Sequence, residues 1–330
     1  MSMKTRLTTL LGIRYPIIQA PIGSAATPGL VAEVSNAGGL GMLALTWKSP
    51  AETRALIGQT KVLTDRPFGV NLVLKWPQDE RVAICLAERV PVVSFFWGDS
   101  TPFIRPLQER GIRVCHSVGS ADEAAYFAGK GVDFVVAQGW EAGGHVWGQV
   151  ATSVLVPAVA NRVPGVPVVA AGGIADGRGI LSALSLGADG VWMGTRFLMS
   201  HEAGAHPVYQ DRIARAQETD TVYTTLFNIG WDAPHRVIRN STVEAWEESR
   251  GNQPRPNEGQ VIAHFPDGRP VLRYSDVIPL PATEGEVEAL ALYAGQSAGL
   301  IGEKKAAREI VVDLVKETHA AHEKNVRLFS

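Results

Sequence analysis

The stretch Ala137-Gln138-Gly139-Trp140-Glu141-Ala142-Gly143-Gly144-His145-Val146-Trp147-Gly148 gathers an amide, a carboxylate, an imidazole and two indoles around four glycines. An imidazole titrates near neutrality, so His145 suits general acid or base work. Gly143 and Gly144 give the chain the freedom to bring that ring over a bound molecule. A solvated loop histidine is the plain alternative. Trp140 and Trp147 are placed to wall a flat substrate and keep water out, or to plug the loop against its scaffold. Glu141 stands where it could orient His145 or simply be solvated.

Two other strings end in residues that can meet an anion. Gly172-Gly173 closes the run 166–173, and Gly194-Thr195 follows the run 188–193. Bare backbone N–H groups at such strand-to-helix turns approach a phosphate closely. Either pair alone would be read as a tight turn; together they predict a phosphate clasp, which a sugar phosphate or flavin mononucleotide would equally use. Asn71 and Gln138 at strand ends, with the apolar turn Ala20-Pro21-Ile22, are suited to hold a flat heterocycle. Other chemistry is poorly supported. His201 and His206 do not make an H-E-x-x-H spacing and no metal site is expected. Ser153, Ser182 and Ser185 lack a nucleophile-elbow context. His235-Arg236 reads as a surface loop.

The elements that must position these residues are legible as eight apolar runs, at 16–21, 39–45, 67–74, 90–96, 112–118, 132–138, 166–173 and 188–194. They do not alternate, as parallel strands covered on both faces require. Helix-like stretches separate them, with starts at Ser49-Pro50 and Ser120 to Glu123. This predicts an α/β fold, a (β/α)8 TIM barrel over residues 1–205, whose site lies at the carboxyl ends of the strands and whose phosphate clasp follows strands seven and eight. A doubly wound sheet is the alternative, but no G-x-G-x-x-G follows the first strand. Residues 206–283, rich in Asn, Pro, Gly and Trp, read as a smaller lid or substrate domain inserted after the last barrel strand. Residues 284–330 read as helices packing back on the barrel.

Composition narrows the partners. A net charge of −2 with 45% hydrophobic and 19% charged residues indicates neither disorder nor attraction to nucleic acid or membrane. No stretch approaches the ~20 apolar residues of a membrane span, and the first sixteen residues lack a signal-like apolar run. Cys85 and Cys115 are too few and too far apart for a disulfide framework or a metal site. A cytoplasmic enzyme with a small-molecule ligand is the expectation.

The strings IIQAPIG, FGVNL, AQGWEAGGHVWG, PVVAAGGIADGRG and GADGVWMGTRFLMS together resemble the nitronate monooxygenase family, formerly 2-nitropropane dioxygenases, which includes FMN-dependent enoyl-ACP reductases. The resemblance implies a barrel with a smaller α-rich domain and one non-covalent FMN at the mouth. Carried over, Ala20, Pro21, Ile22, Asn71, Gln138, Gly143, Gly172, Gly173, Gly194 and Thr195 contact FMN. His145 is then the catalytic base or hydrogen-bond donor, with Trp140 and Trp147 beside it in the substrate pocket. The implied reaction is oxidation of an alkyl nitronate with O2 to a carbonyl compound and nitrite; a homodimer is admitted. The alternatives are a reductase that draws on NAD(P)H and acts on an enoyl or acyl thioester or a quinone, and a barrel lyase or isomerase for a phosphorylated substrate. Val146-Trp147 departs from the usual motif after the histidine, and Ser117 follows His116 where quinone-reducing members have Lys. The first departure predicts that Trp147→Gly alters substrate selectivity and leaves FMN content intact.

Overall fold

The eight apolar runs become the parallel strands Ile17–Gln19, Gly41–Ala44, Phe68–Val73, Val92–Phe96, Arg113–Val118, Phe134–Gln138, Val168–Ala171 and Gly190–Met193. In the computed structural model, which describes residues 3–251 and 253–329, they lie side by side in the order one, eight, seven, six, five, four, three, two. Strands one and two meet at an Ile18–Leu40 bridge, with Leu40 N–H donating to the Ile17 carbonyl at 3.0 Å and Gln19 N–H to the Leu40 carbonyl at 2.9 Å. The sheet thereby closes into a (β/α)8 barrel. The Pro28–Asn36 helix packs so closely on strand two that position 41 requires glycine, since a Cβ there would lie 2.3 Å from the Val31 carbonyl oxygen.

The strands are apolar on both faces because both are covered. One core fills the barrel with Ile18, Met42, Val92, Phe134, Val136, Val169 and Trp192; Leu7 and Leu11 of the helix Arg6–Leu11 join it. A larger core lies between strands and helices, as with Val70, Val93, Leu155 and Ile180. Cys85 and Cys115 sit unpaired and buried, and burial pushes both thiols up to about 12. Helices begin where the local chemistry stops the strand-to-helix turn. Ser49 accepts from Glu52 N–H while the Glu52 carboxylate accepts from Ser49 N–H, with Pro50 following, and Ser120 accepts from Glu123 N–H.

After Ser200 the chain departs from the expected α-rich segment. It forms the helices Pro207–Arg215 and Ser241–Glu248, but also the strands Thr221–Thr224, His235–Ile238, Val261–His264 and Pro270–Leu272. The Pro- and Gly-rich composition of 249–270 disfavours helix, and short hairpins satisfy its backbone instead. The His206 Nδ1 accepts from Val208 N–H and starts the Pro207–Arg215 helix. Tyr209 and Ile213 of that helix pack with Ala25, Ala175 and Leu198 above the barrel. Residues 284–306 hold no helix other than the short 3-10 helices Val287–Ala289 and Gln296–Leu300, since Gly285, Gly295 and Gly302 interrupt the periodicity. The helix Ala307–Phe329 packs on Gly177–Ser185 and Pro28–Asn36. Among the described residues, no helix is long and apolar enough to cross a membrane.

Candidate active site

A cavity of about 900 Å³ opens at the carboxyl ends of the barrel strands, between them and the appended segment. Ala20, Pro21, Ile22, Asn71, Gln138 and Gly143 line it, together with His145, Gly172, Gly173, Gly194 and Thr195. These residues come from five different strand ends, so the barrel itself brings them together.

Gly172 and Gly173 adopt φ +100° and +72°, a conformation that side-chain-bearing residues rarely hold. Among the described residues, neither N–H finds a protein partner. A Cβ on Gly172 would lie 2.9 Å from the Gly139 carbonyl oxygen. Across the cavity floor, Thr195 Oγ1 accepts from Gly295 N–H at 3.0 Å, which leaves its hydroxyl hydrogen to donate. Asn71 Oδ1 accepts from the Ser94 hydroxyl at 3.0 Å, so its amide N–H groups remain for a ligand. A phosphate can therefore be met by backbone N–H groups and a hydroxyl, and a flat ring by an amide and the Ala20-Pro21-Ile22 turn.

His145 lies on a two-residue strand, Gly144–His145, which pairs antiparallel with His235–Ile238 of the appended segment. The loop after strand six and that segment thus share one sheet. The His145 ring stacks on Trp231 at 3.8 Å between centroids, and its Nε2 lies 3.4 Å from Asp276 Oδ1. That approach lacks hydrogen-bond geometry, and Nε2 is buried without a hydrogen-bond partner among the described residues. Tyr293 donates its hydroxyl hydrogen to Asp276. Burial, and then the neighbouring His235, hold His145 well below the ordinary imidazole range. Burial raises the Asp276 carboxyl to about 7 against the opposing Tyr293 hydrogen bond. The inner end of the cavity is therefore a set of neutral or nearly neutral proton-holding groups.

Several expected residues stand elsewhere. Trp140 and Trp147 do not line the cavity. Trp140 is covered on one face by the Arg236 guanidinium, 5.0 Å from its ring centre, and packs edge-on to Tyr223. Trp147 packs edge-on to Trp97 at 4.5 Å and donates its indole N–H to Glu123. An exposed loop residue can turn to either side of its backbone; here Trp140 turned to the buried Arg236, and Trp147 turned to Trp97, which packs edge-on to Trp231 behind the cavity wall. Trp147→Gly is thus expected to loosen the Trp97–Trp231 wall behind His145 and to act on the substrate only through it, leaving FMN content intact. Gln138 lines the cavity, but its Nε2 donates to the His145 carbonyl at 3.0 Å and its Oε1 accepts from Trp147 N–H at 3.0 Å. It braces the loop that carries the imidazole. Gly143 is a packing glycine as well: a Cβ there would lie 2.3 Å from the Gly295 nitrogen.

Glu141 does not orient His145. Its carboxylate accepts from the Thr152 N–H at 2.9 Å and hydroxyl at 3.0 Å, at the start of the helix Thr152–Arg162. Glu141→Ala is expected to cost about 1 kcal/mol, the usual worth of such a cap. Urea denaturation checks this; an unchanged midpoint would mean the contact contributes nothing.

His235, read from sequence as part of a surface loop, is buried. Its Nε2 accepts from Phe227 N–H at 3.2 Å, its Nδ1 lies 2.8 Å from the Ala233 carbonyl oxygen, and burial lowers it to about 4. Asp276, Tyr293 and Trp231 escaped sequence reading altogether. They belong to no motif, and all three are distant from His145 in the chain.

The model of the family described as nitronate monooxygenase matches residues 4–80 and 75–317 of this chain. A curated relative from Mycobacterium tuberculosis, the (3aS,4S,5R,7aS)-5-hydroxy-7a-methyl-1-oxo-octahydro-1H-indene-4-carboxyl-CoA dehydrogenase, is 35% identical over 96% of each chain. A probable nitronate monooxygenase of Staphylococcus saprophyticus is 33% identical over 97% of this chain and 99% of its own. Among solved structures, FabK from Thermotoga maritima superposes with a TM-score of 0.86 at 38% identity, covering both chains completely. The family and these relatives are oxidoreductases, which displaces the lyase or isomerase alternative. The barrel and the family match lead to one conclusion: this chain is an oxidoreductase and belongs to the nitronate monooxygenase family.

Proposed function

We propose that the protein binds one FMN non-covalently and uses it to oxidise or reduce an acyl or enoyl thioester. When bound, FMN supplies the two-electron chemistry that no side chain offers. Gly172, Gly173, Gly194 and Thr195 hold its phosphate, and Asn71 with Ala20, Pro21 and Ile22 holds its ring system. His145 faces the substrate from the opposite wall. It orients the thioester carbonyl as a neutral donor or takes a proton as a base, while the stacked Trp231 keeps water from its face.

The observation behind this substrate class is the charge distribution. The cations lining the cavity are Lys48 and Arg269, and Arg269 is paired with Asp267 at 2.7 Å. Neither touches His145, Asp276 or Tyr293. A nitronate bears its charge on the reacting group and calls for a cation there; a thioester is neutral and calls only for a donor. The M. tuberculosis relative, by its name, dehydrogenates a carboxyl-CoA.

Nitronate oxidation with O2 is the second reading, favoured by the relative of that name. Anaerobic mixing separates the two. Bleaching of the flavin by NADH or NADPH and its recolouring by an enoyl thioester supports the first. Bleaching by an alkyl nitronate alone, with nitrite formed once air is admitted, supports the second and overturns the first.

Gly172→Ala tests the clasp. Strain at φ +100° and the close Gly139 carbonyl cost on the order of 1–3 kcal/mol, so FMN affinity is expected to fall by about 10- to 100-fold. Flavin retained after ultrafiltration measures it; unchanged retention would place the phosphate elsewhere.

A further inference from the structure

We propose that Asp276 is a catalytic residue: its carboxyl, set beside the His145 imidazole, carries the proton exchanged with the substrate. The inference rests on the reading that the cavity is the redox site, and extends it to a residue that belongs to no motif.

The geometry supplies the argument. Asp276 lines the cavity, and its Oδ1 lies 3.4 Å from His145 Nε2. Each side chain is about nine-tenths buried, at 8% and 10% exposure. A buried imidazole nitrogen with no hydrogen-bond partner is costly unless a proton can be placed on it or opposite it. Tyr293 donates to the same carboxyl and fixes it, while Asp276 N–H donates to the Ile229 carbonyl at 2.9 Å and fixes its backbone. The remaining titratable groups facing the pair are His235, whose ring centre is 5.7 Å from that of His145, and Tyr209, whose hydroxyl donates to the Tyr293 carbonyl. Burial keeps all of these neutral near pH 7. The carboxyl, raised to about 7, is the member of the group that changes protonation at neutral pH.

In the oxidising direction, the C–H bond beside the activating carbonyl breaks and its proton passes to Asp276, converting carboxylate to acid. The neighbouring carbon would lose a hydride to bound FMN, so that the electron pair left behind closes the C=C bond. In the reducing direction the carbon remote from the carbonyl would take a hydride from reduced FMN, the acid returns its proton to the carbon beside the carbonyl, and the carboxylate regains one from solvent.

The test uses infrared titration of the holoenzyme together with kinetics. A protonated-carboxyl band is expected to titrate with a midpoint of about 7, to be absent in Asp276→Asn, and to move to higher pH in Tyr293→Phe, because the lost hydrogen bond favoured the charged form. In Asp276→Asn, kcat/KM is expected to fall by about 10²- to 10⁴-fold and to lose its pH limb near 7. Absence of the band in the wild type, its persistence in Asp276→Asn, or a retained limb in that variant overturns the proposal. Tyr293→Phe keeps the test available should Asp276→Asn not fold. The band does not depend on which substrate is turned over. A titrating Asp276 in a protein that reduces no flavin would therefore count against the functional reading, and flavin reduction without the band against this one.

Discussion

Acidification from pH 7 to pH 4 is expected to destabilise the protein by several kcal/mol. His116 and His235 are buried, and burial lowers them to about 3 and about 4; His145 is displaced in the same direction. In the unfolded chain each returns to about 6.5. As pH falls below that value, the unfolded state binds protons that the folded state refuses, so stability drops as pH drops. By pH 4 His116 and His235 each cost up to about 3 kcal/mol, and His145 acts in the same direction. Asp276 works in the opposite sense. Its folded value of about 7 stands above the unfolded 3.8, so acidification through that window returns up to about 4 kcal/mol. Three histidines outweigh one carboxyl. Urea midpoints between pH 4 and 7 measure the balance, and a midpoint constant or rising toward pH 4 would show that the histidines are not held neutral by burial. Asp276→Asn supplies an internal control: it removes the buried carboxylate, so above pH 7 it is expected to exceed the wild type in stability, with the difference closing near pH 4. The active site would then be a place where stability is given up for a titrating group.

Much of the fold was legible in the sequence because the barrel strands are buried on both faces. A run such as Val90 to Phe96 leaves no alternation to misread, and all eight runs contain observed strands. The turn after strand seven was legible for a related reason. Gly172 and Gly173 hold positive φ, and a backbone requirement of that kind is written in the residue type itself. The inner wall of the site was not legible. His145 acquires its surroundings through pairing with His235–Ile238 and through contact with Trp231, Asp276 and Tyr293, all contributed by chain remote in sequence. Periodicity has no access to such contacts. Gln138 shows the limit most plainly. Its position at a strand end was readable, yet its amide turns to the loop backbone at His145 and Trp147.

The same division between clasp and remote wall decides how the site responds to removal of its imidazole. His145→Phe keeps an aromatic ring for Trp231 to stack on and removes both nitrogens, so it separates packing from proton chemistry. We expect kcat/KM to fall by about 10²- to 10⁴-fold, the usual worth of a positioned acid or base, with FMN content unchanged. The clasp residues Gly172, Gly173, Gly194 and Thr195 lie at the ends of strands seven and eight, on chain segments that do not depend on the ring. Loss of flavin along with activity would mean that His145 belongs to the cofactor site. Activity within twofold of wild type would mean that it belongs to neither. The pH profile adds a separate constraint. Because burial holds His145 neutral well below the ordinary imidazole range, its own protonation should leave no limb in kcat/KM between pH 6 and 8, and the limb near 7 should come from Asp276. A wild-type limb near 6.5 that disappears in His145→Phe but survives in Asp276→Asn would assign an ordinary imidazole to the site. Water would then have to reach Nε2, and the stack on Trp231 would not be the seal that the geometry makes it.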